Sequence, residues 1–217
     1  GATLTMVPAR LPLGICLETG NFKSLSSNPF TDQDEKVWAV AALLPQGYTR
    51  TLLPGFVTPK AADALPLLGY TAVGFKDGNF YVAAVKTDQD EHWNPCHYNT
   101  DDLEKLIEIK LQKYKHNPIY NQLAKCSLEY GCFTAQNIFY NRWEGGLPTS
   151  PVCNANCLGC ISLQPSECCP SPQNRITFVP EVKDIVEVAL EHLQTPESII
   201  SFGQGCEGEP SLQAARL

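Results

Sequence analysis

Nowhere in this chain do about eighteen or more apolar residues follow one another, so no segment reads as a membrane-spanning helix. Positive charge is also scarce. Lys and Arg number 16 against 23 Asp and Glu, a net charge of −7, and such a surface does not attract a phosphate backbone. No nucleic-acid partner is therefore expected for the surface as a whole. The opening stretch, Gly1–Glu18, lacks a basic head followed by an apolar stretch, so no signal peptide is expected there. Disorder is excluded as well, because 43% hydrophobic and 18% charged residues suffice to bury a core.

Cysteine is what the sequence has in excess: Cys16, Cys96, Cys126, Cys132, Cys153, Cys157, Cys160, Cys168, Cys169 and Cys206. In a small secreted protein an even count of this kind suggests disulfides. Here the chain runs to 217 residues, shows no secretory segment, and crowds three cysteines between positions 153 and 160. Thiolate ligation of metal in a reducing, cytoplasmic compartment is the expectation.

Hydrophobic patterning divides the chain near Gly131. Residues 1–131 read as an α+β accessory module. Val37–Leu44 and Tyr48–Phe56 flank Pro45-Gln46-Gly47 and predict one hairpin, and Tyr70–Phe75 and Phe80–Lys86 flank an Asp77-Gly78 turn and predict another. A helix is expected from Thr100 or Asp101, with Asp101 and Glu104 as a capping box and Leu103, Leu106, Ile107, Leu111 and Tyr114 on its buried face. Asn117-Pro118 should break it, with a shorter helix continuing to about Ser127. Residues 132–217 then predict a strand at Asn137–Tyr140, a long loop over Asn141–Thr177 and a helix over Pro180–Gln194, with Val182, Ile185, Val186, Ala189, Leu190 and Leu193 along one apolar face. A strand at Ser198–Phe202 completes one βαβ unit with a parallel sheet.

Within the long loop, Cys153-Asn154-Ala155-Asn156-Cys157-Leu158-Gly159-Cys160 has the form CxxxCxxC. Three thiolates on one short loop suit three irons of a cubane and leave the fourth open to an outside ligand, whereas such clusters are ordinarily held by four cysteines. A zinc site would rather show paired CxxC motifs or histidines, and no His lies between Cys132 and Cys168. After the next strand comes Gly205-Cys206-Glu207-Gly208-Glu209-Pro210. Together these motifs resemble the radical S-adenosylmethionine superfamily, whose CxxxCxxC follows the first barrel strand and whose GGEP-type segment follows the second.

The resemblance implies an α/β fold in which the accessory module precedes the first βα units of a partial (βα)6 TIM-like barrel. It covers about Asn137–Leu217, so the later barrel units are missing and the segment alone is expected to hold a cluster without full turnover. It further implies a 4Fe–4S cluster on Cys153, Cys157 and Cys160. Gly205, Glu207, Gly208, Glu209 and Pro210 would sit around the methionyl group of S-adenosylmethionine. A reductant such as flavodoxin or ferredoxin would supply an electron, and a 5′-deoxyadenosyl radical would take hydrogen from an unidentified substrate. One departure is Gly159, which stands where the family usually places an aromatic residue. The alternative is a non-catalytic module that binds zinc or an iron–sulfur cluster and contacts another protein. Cys168 and Cys169, with Cys126 and Cys132, are weaker candidates for a second cluster, and His92–His97 reads first as a polar loop before a helix.

Overall fold

The computed structural model describes residues 2–164 and 169–216, so Cys168 lies outside the described residues. The chain divides into two compact units, Gly1–Asp90 and Glu91–Leu217.

The first unit is built from short antiparallel strands: β1 (Thr3–Val7), β2 (Leu11–Ile15), β3 (Phe22–Ser24), β4 (Ala39–Leu43), β5 (Tyr48–Arg50), β6 (Phe56–Val57), β7 (Val73–Lys76), β8 (Asn79–Val82) and β9 (Ala84–Lys86). The expected second hairpin is present as β7 and β8, paired from Val73↔Val82 to Lys76↔Asn79. Asp77 and Gly78 take positive φ (51° and 78°) at its turn, as a two-residue hairpin loop requires. The first expected hairpin does not form. β4 pairs with β1 and β5 pairs with β9, so long-range partners override the local Pro-Gln-Gly turn. Val7, Ala39 and Ala41 form the small core, with Phe56, Leu65 and Tyr70 against it.

The second unit begins with 3₁₀ turns at Glu91–Trp93 and Pro95–His97, followed by α1 (Leu103–Lys113), α2 (Pro118–Glu129) and α3 (Phe133–Tyr140). β10 (Glu144–Gly146), α4 (Val182–His192) and β11 (Ile199–Ser201) complete it, before a helical turn over Pro210–Arg216. At the start of α1 the N-cap is Asp102, which makes no side-chain cap bond, so the Asp101–Glu104 capping box is not formed. Asn117 caps α2 by accepting from Ile119 N at 3.0 Å, and Pro118 starts the helix without needing an N–H partner. The same fully buried Asn117 donates to Asp184 O and Glu187 Oε2, tying α2 to α4.

Residues 137–140 belong to α3 and not to a strand. Every residue from Phe133 to Phe139 is buried, so the segment carries neither the two-fold nor the 3.6-fold alternation that separates strand from helix. The first strand is instead Glu144–Gly146, a glycine-rich triplet with no strand propensity of its own. It pairs in parallel with β11, from Glu144↔Ile199 to Gly146↔Ser201. The expected order of strand, long loop, helix and parallel strand is thus present, shifted toward the loop. Helices α1 to α3 share one core with this unit, in which Ile107, Ile119, Tyr120, Leu123, Ile138, Phe139, Leu147 and Val188 are buried. Contacts therefore divide the chain after Asp90, while sequence pattern changes near Gly131. No sheet among the described residues closes into a barrel, and no described helix is long and apolar enough to cross a membrane.

Candidate metal and cofactor site

The cysteine triplet lies on the connection from β10 to α4, and the Gly205–Pro210 segment follows β11. Because β10 and β11 are adjacent and parallel, both segments emerge from the same, carboxyl, edge of the pair, where open α/β sheets bind their ligands. The two segments are joined directly. Gly208 N donates to Ser150 O at 2.6 Å, and Glu209 N donates to Val152 O at 2.8 Å, one residue before Cys153. A methyl group on Gly208 would lie 1.9 Å from Val152 O, so only glycine permits this approach. Gly205 abuts the other end of the cysteine loop, where a methyl would lie 2.1 Å from Ile161 Cδ1.

Glu207 is the anchor of this junction. Its side chain is buried at 4% exposure, and its two oxygens meet donors from both segments. Oε2 accepts from Thr149 N, Thr149 Oγ1 and Ser150 N, while Oε1 accepts from Gly203 N and Gln204 N. A carboxylate offers about four lone-pair sites, so this one is fully committed to the chain itself. Glu207, expected from the resemblance to sit at the cofactor, acts here by holding the main chain that would do so. Glu209 accepts from Ser211 N at 3.0 Å, and the Ser211 side chain and amide hold its carboxyl below the ordinary range.

Cys153 and Cys160 are half-buried, Cys157 is exposed, and all three are free thiols. Ala155 N donates to Cys153 Sγ, and Leu163 N and Arg175 donate to Cys160 Sγ, each at 3.4 Å. Partial burial works against ionisation of Cys160. The Ser162 and Leu163 amides, the Ser162 hydroxyl and Arg175 outweigh it and lower the thiol to about 7. The three sulfurs do not gather within 4.8 Å of one another. That spacing belongs to ligands sharing one ion; cubane ligands each bind a different iron and stand farther apart. Three thiols that are free and partly exposed, two of them, Cys153 and Cys160, supplied with N–H donors, fit the chemistry of such a cluster.

Among the other cysteines, Cys126 and Cys206 are buried and hydrogen-bonded to each other. The bond to Cys126 and burial both raise the Cys206 thiol, which keeps it protonated as part of the core. Cys126, Cys132 and Cys169 do not converge on a point. Arg142 and Trp143 face the Glu91–His97 segment: Arg142 donates to His92 O at 3.1 Å, and Trp143 stacks on His92 at 4.0 Å between centroids. Among the described residues nothing lies within 4 Å of a Cβ position at Gly159.

Sequence reasoning missed Arg175, Thr149 and Ser150. Arg175 had a signal, since it is the one basic residue between Trp143 and Val182; Thr149 and Ser150 act largely through main-chain amides and had little. Within the first unit, a hollow of about 350 Å3 is lined by Trp38, Phe75, Phe80, Pro12 and Pro54, among others. Comparison with protein-family models, curated proteins and solved structures finds no match to this chain.

Proposed function

We propose that this chain is the cofactor-binding part of a radical S-adenosylmethionine enzyme, with Cys153, Cys157 and Cys160 as the ligands of a 4Fe–4S cluster. The observation that carries this reading is the junction of the two motifs: the Gly208 and Glu209 amides are bonded to the segment leading into Cys153. When bound, the cluster supplies one electron for reductive cleavage of the sulfonium of S-adenosylmethionine.

The chain's own contribution is binding and positioning. Lowering of the Cys160 thiol favours the thiolate that ligation needs. Gly205, Gly208, Glu209 and Pro210 present main-chain groups beside the cysteine loop, and Glu207 fixes their distance from it. Thr149 and Ser150 transmit that register to Cys153. The first unit, with its apolar hollow, serves to hold substrate or a partner, and a flavodoxin- or ferredoxin-type protein serves as cytoplasmic reductant.

The test is anaerobic reconstitution with iron and sulfide, reduction, and assay for 5′-deoxyadenosine in the presence of S-adenosylmethionine. Cluster absorbance is expected in the unaltered chain and its loss when Cys153, Cys157 and Cys160 are together replaced by Ala. Survival of the cluster in that variant refutes the assignment. Zinc in place of iron, without cleavage, supports the non-catalytic metal-binding module instead.

A further inference from the structure

The segment Glu91–His97, at the start of the second unit, brings three different metal-ligating side chains together on the surface. One ligand atom each from Glu91, Cys96 and His97 lies within 4.8 Å of the other two, and all three residues are exposed. His97 Nε2 and Glu91 Oε1 are 3.8 Å apart, too far for a hydrogen bond. Zinc ligand bonds of about 2.0–2.3 Å put two tetrahedral donors roughly 3.4–3.6 Å apart, so the observed gap is close to the span one ion bridges.

The loop is held in this shape by residues that are not ligands. Asn94 Nδ2 donates to Glu91 Oε1 at 2.6 Å, and Asn94 Oδ1 accepts from Cys96 N at 3.1 Å, so one side chain orients two of the three donors. Tyr98, buried at 4% exposure and stacked on Phe133, donates to His92 O at 2.9 Å. Arg142 donates to the same carbonyl. An exposed Glu–His ion pair alone would explain neither the thiol beside it nor this second layer of support.

We propose that Glu91, Cys96 and His97 form a metal site separate from the cysteine triplet. It takes one zinc-type divalent cation through one oxygen, one sulfur and one nitrogen, with water in the fourth position. Binding replaces the Cys96 S–H bond by a sulfur–metal bond and releases that proton to solvent. The site does not depend on the iron–sulfur reading.

Cobalt(II) titration of the 217-residue chain carrying Cys153, Cys157 and Cys160 all replaced by Ala tests this. A thiolate-to-cobalt charge-transfer band is expected at one equivalent, displaced by zinc. Adding Cys96→Ser should abolish it, and Asn94→Ala should weaken binding about 10–100-fold, as loss of an orienting partner does. Absence of the band, or its survival in Cys96→Ser, overturns the proposal. In the unaltered reduced chain, excess zinc should slow alkylation of Cys96 as read by peptide mass spectrometry; an unchanged rate also overturns it. The failure of cluster assembly on the triplet would leave both readouts unmoved.

Discussion

Replacement of Glu207 by Gln is the sharpest test of how the site is held. The two side chains have nearly the same shape, so the change alters hydrogen bonding without opening a cavity. In the folded chain Oε2 faces three donors and Oε1 faces two, every one an N–H or O–H. A glutamine must turn its NH2 toward one set, and the lesser loss is on the side of Gly203 N and Gln204 N. Two hydrogen bonds to a charged acceptor, each contributing about 1.5–3 kcal/mol, are then lost, and their donors are left facing another donor. The expected destabilisation is about 3–6 kcal/mol, a large share of what a domain of this size has. Urea unfolding followed by far-UV circular dichroism and Trp fluorescence measures it. A loss under about 1 kcal/mol would refute the reasoning, because it would mean that the five bonds are not made together in solution.

Three further outcomes follow from the same structure. Gly208→Ala should displace the Val152–Cys153 backbone and break the Ser150 and Val152 hydrogen bonds, costing about 1–3 kcal/mol and lowering iron loading, whereas Gly159→Ala, whose added methyl meets no atom of the described residues, should load normally; equal loading of the two variants sinks this. In the metal-free chain, Arg175→Ala should move the midpoint of Cys160 alkylation upward from about 7, slowing labelling at neutral pH; an unchanged profile removes Arg175 from the thiolate's support. Lys110, 7% exposed at its side chain, has its amine lowered by burial from 10.5 to about 8, against the opposing pull of Glu191. The unfolded chain then binds more protons between pH 8 and 10.5, so stability from this group rises with pH across that window and is flat below it. The stability difference between wild type and Lys110→Met should therefore change by about 2–3 kcal/mol from pH 8 to pH 10, and a constant difference contradicts it.

What could be read from sequence was what repeats at short range. The Asp77-Gly78 turn, the Asn117-Pro118 break and α4 each carry their signal within a few residues, and each forms where expected, but the apolar face expected on α4 is not the buried one: Val182, Val186, Leu190 and Leu193 are exposed while Asp184, Ile185, Val188 and His192 are buried. The strand at Glu144–Gly146 could not be read, because two of its three residues are glycines and its existence depends on β11. The eight residues of α3 could not be typed either, since nearly all are buried and no face remains polar. At the candidate site the cysteine spacing stood out at once. The part played by Glu207 did not, because four of its five donors are main-chain amides, two of them 57 and 58 residues away, which no side-chain pattern marks.

That separation also bears on the order in which the molecule comes together. Closing a chain segment of 58 residues costs roughly 3–4 kcal/mol in configurational freedom, so the Thr149–Glu207 tie forms only once α4 and β11 have docked and offset that loss. During synthesis the cysteine loop is made well before residue 207 and spends that interval without its fastener. Whatever ligand the cysteine loop takes can therefore reach it before the Thr149–Glu207 tie closes, and that tie then shuts behind it like a latch.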